Sequence, residues 1–243
     1  MDKPIFKSVL EKKIQKALES RPEILALWLG GSEATGKMDQ YSDSDIVMIS
    51  QDPLLPFSII ESIIGPKDIY LSTDGPYNQR FYVLHDSPET YYIDVVVFSE
   101  MSEEHYTEYY NHARHGTPVI LFDKLGIMSR ASAKPKLENS KIDFRNERAK
   151  FEIMYRTFLK EALRGKFIDA LLFYQKLIHI YAKLLRNIHA PQKQDFSLRY
   201  LYLDLPQEKS QLIEGLFKVS SIRDMQNYSL LLQNEVEKLT KGE

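Results

Sequence analysis

Cysteine is absent from all 243 residues, which removes disulfide frameworks, zinc ribbons, iron–sulfur clusters and a cysteine nucleophile together. A surplus of either charge is also missing. Lys and Arg number 32 against 34 Asp and Glu, for a net −2, whereas a nucleic-acid binder shows a basic excess or stripe. No apolar run approaches the roughly 20 residues needed to cross a bilayer. The opening MDKPIFKSVLEKK has no signal-peptide core. These absences lead to the expectation of a soluble cytoplasmic protein without a membrane or nucleic-acid partner. The oligomeric state is left open. What remains is globular in balance: 43% of residues are hydrophobic and 27% charged, and the length suits one large or two modest domains with a substantial core.

Two halves differ in texture. Runs rich in Val, Ile, Tyr and Phe predict strands at Ile24–Leu29, Asp45–Ser50, Asp68–Leu71, Arg80–His85, Thr90–Phe98 and Pro118–Phe122. Lys3–Leu18 spaces its apolar residues at three and four and predicts a helix, and Pro56–Ile64 predicts a shorter one. Lys124–Lys141 is polar and basic, with Ser, Pro and Gly, and is expected to be a linker or surface loop. Beyond it the pattern is helical. Phe151, Met154, Tyr155, Phe158, Leu159 and Leu163 form one stripe; Ile168, Leu171, Leu172, Tyr174, Leu177, Ile178, Tyr181, Leu184 and Leu185 form another. Further segments lie near Gln207–Val219 and Ile222–Leu239. The expected architecture is α+β, with a catalytic domain over 1–125 and a helical bundle over 140–243.

One segment carries chemistry: Leu27–Ile49, LWLGGSEATGKMDQYSDSDIVMI. A strand ends in Gly30-Gly31-Ser32, which lets backbone approach a ligand and sets amides and a hydroxyl where a phosphate can be held. Asp43 and Asp45 lie two residues apart where the next strand starts, so their side chains point the same way. Two carboxylates on one face repel unless a cation joins them, and hard oxygen donors suit Mg²⁺. Asp94 interrupts an otherwise apolar strand and needs a partner there.

This arrangement resembles the polymerase-β-type nucleotidyltransferases. The shared features are Gly31-Ser32, ten intervening residues, Asp43-x-Asp45 on a strand, and a later lone Asp94. Small bacterial antibiotic nucleotidyltransferases of the aminoglycoside and lincosamide kind resemble it further in appending a helical bundle. The resemblance implies an N-terminal nucleotidyltransferase fold with a mixed sheet flanked by helices. It also implies that Gly31 and Ser32 hold a nucleoside triphosphate, and that Asp43, Asp45 and Asp94 bind two Mg²⁺ ions. The expected reaction moves a nucleoside monophosphate, AMP from ATP, onto a hydroxyl of a small-molecule acceptor. A protein acceptor, as in antitoxin-type relatives, and a non-catalytic nucleotide-binding protein of the same fold are the competing readings. Two departures stand out: Thr35 precedes Gly36 where Arg is common, and Ser44 separates the aspartates where an apolar residue is common.

Outside this segment, Asp169 at a helix start is a candidate for acceptor contact or proton removal, and Lys176 for triphosphate contact. Trp28 is expected in the core, Glu33 and Asp39 in solvent, and His179 and His189 as structural histidines. Arg186-Asn-Ile-His189 is too short a spacing for a fused ribonuclease motif. Between Phe81 and His112 there is no Lys or Arg, while Asp86, Glu89, Asp94, Glu100, Glu103, Glu104 and Glu108 all occur. Such a run is expected to be a solvated acidic loop, or to attract a cationic acceptor where it lines the cleft.

Overall fold

The computed structural model describes residues 3–76, 78–99, 115–133 and 142–240. The chain divides into two compact units, Met1–Leu137 and Glu138–Glu243. In the first, α1 (Lys3–Glu19) precedes β1 (Ile24–Leu29), the short α2 (Gly31–Thr35) and β2 (Ser44–Ser50). Then come α3 (Leu55–Ile64), β3 (Ile69–Gly75), β4 (Gln79–Leu84), β5 (Ile93–Phe98), β6 (Val119–Asp123) and α4 (Ile127–Ser132). The strands make one six-stranded sheet in the order β3-β4-β5-β2-β1-β6. Only β2 and β5 run parallel; the other neighbours are antiparallel, so the sheet is mixed.

Strand alternation gives each face its own core. Ile46 and Met48 of β2, with Ile93, Val95 and Val97 of β5, pack against Leu10, Ile14 and Leu18 of α1 and Phe57, Ile60 and Ile64 of α3. Ala26, Trp28, Val47 and Ile49 face the other way, against Met128 and Ala131 of α4. Trp28 is fully buried, as expected. The linker expectation needs correction at its start, because α4 forms where a loop is expected. The Asp123 carboxylate accepts from the amides of Ile127 at 3.1 Å and Ser129 at 2.9 Å, which starts the helix. Met128 and Ala131 are completely buried. An apolar face this narrow, among Ser, Lys and Gly, escapes a periodicity argument. Residues 134–141 of the same stretch lie outside the described residues.

The second unit holds α5 (Phe144–Leu163), α6 (Phe167–His189), a 3₁₀ turn (Pro191–Phe196), α7 (Leu201–Asp204), α8 (Gln207–Leu216) and α9 (Ile222–Thr240). Phe151 and Phe158 of α5 meet Tyr174, Leu177, Ile178 and Tyr181 of α6, with Met225, Leu232 and Val236 of α9 closing the core. The Tyr174 hydroxyl donates to the Leu216 carbonyl at 2.7 Å, so this buried phenol is satisfied. The expected α6 stripe is too wide: Ile168 is 81% exposed and Leu172 51%. Arg186 is wholly buried. Its guanidinium donates to the carbonyls of Ser197 at 2.8 Å and Arg199 at 2.5 Å and lies 3.3 Å from the Asp204 carboxylate, which also accepts from Lys193. Among the described residues, no helix is long and apolar enough to cross a membrane.

Candidate active site

The sheet's parallel seam builds the site. Asp45 of β2 lies opposite Asp94 of β5 in register, and matched positions on neighbouring strands point to the same face. That face is the one carrying Val47 and Val96. Asp43 stands just ahead of β2. At the end of β1 the Gly30 amide donates to the Asp45 carbonyl at 2.9 Å, drawing the Gly30-Gly31-Ser32 turn across the aspartates. Gly31 has φ +51°, and a Cβ there would lie 1.7 Å from Asp45 Oδ2. The backbone therefore passes so close to the carboxylate that no side chain fits. Gly30, Gly31, Asp45 and Asp94 bound a hollow of about 170 Å³ that also touches Gln79 and His115.

Charge is crowded here. Burial, followed by the negative charges of Asp43, Asp94 and Glu33, pushes the Asp45 carboxyl up to about 7. Burial also raises Asp94, against the hydrogen bonds from Gln79 that favour its charged form. The Gln79 amide nitrogen donates to both Asp94 oxygens, at 2.8 and 2.9 Å. The Tyr92 hydroxyl bonds to Asp43, and burial is the main cause that raises this phenol. On the opposite side of β2, Ser44 is fully buried. Its hydroxyl lies 2.7 Å from Glu11 Oε1 and 2.8 Å from the Tyr91 hydroxyl, which explains a small polar residue between the aspartates. One cation answers this acidity from α1. The buried Lys7 ammonium pairs with Glu33, lies 3.9 Å from Glu11, and donates to the Asp43 carbonyl.

The structure thus brings Gly31, Ser32, Asp43, Asp45 and Asp94 into one neighbourhood. It corrects the expectation for Glu33, whose side chain is only 9% exposed and is paired with Lys7. Asp39 is exposed, as expected. Gly36 takes φ +66° and a Cβ there would meet nothing within 4 Å, so a helix-ending turn accounts for it. Sequence reasoning misses Lys7 and Gln79. Lys7 falls among five lysines of an amphipathic helix, and Gln79 is an ordinary strand-opening residue; only the register places them. Asp169 and Lys176 lie on α6 of the second unit. Asp169 is exposed in the first turn with Lys166 at 4.0 Å, and Lys176 is exposed with its ammonium 4.9 Å from the Phe173 ring centre. His179 Nδ1 is 3.0 Å from the Ser197 hydroxyl, and His189 is exposed. Of the acidic run, Asp86 and Glu89 are exposed, while Glu100, Glu103, Glu104 and Glu108 lie outside the described residues.

The donor chemistry fits a hard divalent cation. Burial and the nearby charges of Asp43 and Asp94 leave Asp45 partly protonated near neutrality, a state that a metal ion would relieve. As arranged, no three His, Asp or Glu side chains among the described residues converge on one point to hold a metal, and both Asp94 oxygens accept from Gln79.

Comparison with known proteins bears on this geometry. Residues 11–80 match the model of the nucleotidyltransferase domain family, a span that includes Gly31-Ser32, Asp43 and Asp45 and stops short of Asp94. No curated protein sequence matches the chain. Among solved structures, a nucleotidyltransferase-like protein from Exiguobacterium sibiricum 255-15 aligns at 13% identity and TM-score 0.44, over 97% of this chain and 74% of its own. An aminoglycoside 6-adenyltransferase from Bacillus subtilis aligns at 12% identity and TM-score 0.36, over 96% of this chain and 88% of its own. The family match lies wholly within the N-terminal unit, and over residues 11–80 that unit is similar to the nucleotidyltransferase domain family.

Proposed function

We propose that the protein transfers a nucleoside monophosphate, AMP from ATP, to a hydroxyl acceptor with release of pyrophosphate. The observation that carries this reading is the Asp45–Asp94 register on the parallel seam, with the Gly31 backbone pressed against the Asp45 carboxylate. In this reading Gly31 and Ser32 hold the triphosphate, using amides at the start of α2 that lie outside its helical ladder. Asp43, Asp45 and Asp94 would hold Mg²⁺, two ions by the resemblance drawn from the sequence. When bound, the metal supplies charge neutralisation for the phosphates and lowers the acceptor hydroxyl's pKa.

The acceptor oxygen forms a bond to the α-phosphorus as the bond to the bridging β-phosphate oxygen breaks, and pyrophosphate carries away that electron pair. The hydroxyl proton is assigned to Asp94 or to an acid of the helical unit such as Asp169. The second unit is assigned acceptor selection, with Asp169 as its candidate residue. Lys176 keeps only the weaker assignment of triphosphate contact, since its ammonium already rests over Phe173. A polycationic, aminoglycoside-like acceptor suits the acidic run after Phe81, of which Asp86 and Glu89 are exposed.

A second reading, nucleotide binding without transfer, is favoured by the grip of Gln79 on both Asp94 oxygens. A screen with labelled ATP and Mg²⁺ against aminoglycosides, lincosamides and proteins separates the two. Acceptor-dependent labelling supports transfer. Nucleotide binding with no labelled product from any acceptor supports the second reading. Labelled protein alone moves the acceptor to the antitoxin-like class.

A further inference from the structure

We propose that Lys7 of α1 is a positioning residue, tying the Gly30-Gly31-Ser32 turn to the start of β2 and neutralising Glu33 beside Ser32. The inference rests on the nucleotidyl-transfer reading for its consequence, although the tie itself is structural. Lys7 is 4% exposed and Glu33 almost as closed, so this is an ion pair largely removed from water. The same ammonium donates to the Asp43 carbonyl. Glu33 belongs to α2, and its other carboxylate oxygen accepts from the Ser32 hydroxyl at 3.1 Å. One side chain from the first helix thus reaches both halves of the Gly-Ser and Asp-x-Asp pattern, which are otherwise linked by the Gly30–Asp45 backbone bond.

The electrostatic consequence follows from what surrounds it. The negative charge of Glu33 is felt at both Glu11 and Asp45, and Lys7 opposes it at both. An ionised Glu33 without Lys7 would place an uncompensated charge next to the hydroxyl assigned to the triphosphate. That charge would repel the nucleotide in ground state and transition state alike, which raises KM and leaves kcat nearly unchanged. A purely structural lysine would instead lower the folded fraction, scaling activity down at unchanged KM.

The test compares the full-length wild type with Lys7→Met and with the pair Lys7→Met and Glu33→Gln, which removes both charges. Amide exchange of the protein without nucleotide reports the tie. Steady-state transfer from ATP with Mg²⁺ reports the charge. In Lys7→Met, segments 30–37 and 43–46 should exchange at least about tenfold faster, and the KM for ATP should rise roughly 10- to 100-fold at near-constant kcat. The paired variant should keep the fast exchange, because the tie stays cut, and its KM should fall only part of the way back, to roughly threefold to tenfold above wild type, because the charge is gone while the turn stays loose. Unchanged exchange in either variant overturns the proposal, as does a KM in Lys7→Met equal to wild type. Should Lys7→Met fail to fold, the paired variant decides: fast exchange at those two segments supports the tie and wild-type exchange rejects it. A wild type that transfers nothing sinks the functional reading separately, and the exchange comparison alone then supports or overturns the role of Lys7.

Discussion

A single carboxyl, Asp45, is held in a state that the unfolded chain does not share. Its folded pKa is raised to about 7 by burial and neighbouring carboxylates, against 3.8 for the free group. The folded protein therefore binds more protons than the unfolded chain between those values, and Asp45 erodes stability as pH rises through that window. Asp45→Asn cannot titrate. Without divalent metal, in EDTA at pH 8, it should melt at or above the wild-type temperature, and the difference should shrink on acidification to pH 4. Transfer activity in the same variant should fall to background. A variant that melts well below wild type at pH 8, or turns over normally, contradicts this role. Gly31 and Gly36 offer a second residue-scale comparison. Both have positive φ, so alanine costs strain of about 1–2 kcal/mol at each. Only at Gly31 does the new Cβ also meet a carboxylate, whereas at Gly36 it meets nothing within 4 Å. Urea denaturation should rank Gly31→Ala clearly below Gly36→Ala.

At the scale of elements, the sequence is readable wherever one face of a strand or helix is apolar and the other polar. All six strands and the helices α1, α3, α8 and α9 fall within a few residues of their expected bounds, while α5 begins at Phe144, well ahead of the stripe expected from Phe151. The part that is not readable is pairing. Nothing in TYYIDVVVF says that Asp94 will stand opposite Asp45 rather than elsewhere, and nothing marks Gln79 as its hydrogen-bond donor. These facts come from register, which spacing within one strand does not encode. The helix α4 escapes for another reason: its anchor is Asp123, a side chain from the preceding strand. Met128→Ala should cost about 2–5 kcal/mol by urea titration, the usual range for emptying a buried site. A surface loop at that position would lose almost nothing. Arg186 makes the companion case in α6. Replacing it with Met leaves Asp204 facing Lys193 alone and strips two carbonyls of their donor, so a loss of about 3–5 kcal/mol is expected. A change within error would mean that the charge contributes nothing to holding the 3₁₀ turn.

For the whole molecule, the prediction concerns how ligands and units divide the work. Clustered carboxylates hold Mg²⁺ weakly unless phosphate oxygens complete its shell. ATP with Mg²⁺ should therefore raise the melting temperature more than ATP or Mg²⁺ alone, by mass action on the folded state. Equal shifts with and without metal would remove the metal from the proposed mechanism. Asp169→Asn should slow transfer to the acceptor by roughly 10²–10⁴-fold, the scale of a lost acid–base group, and leave calorimetric ATP–Mg²⁺ binding unchanged. Normal transfer would return Asp169 to its partnership with Lys166 at the helix start.

The parallel seam also sets a clock. The β3–β4 hairpin joins neighbours in sequence, but β2 meets β5 only after a loop of about 50 residues has closed, and such distant pairings form late. Asp45 and Asp94 are thus kept apart while the chain is still collapsing, and their mutual repulsion enters only when the sheet closes. In stopped-flow refolding, competence to bind ATP–Mg²⁺ should emerge only after hairpin structure has already formed.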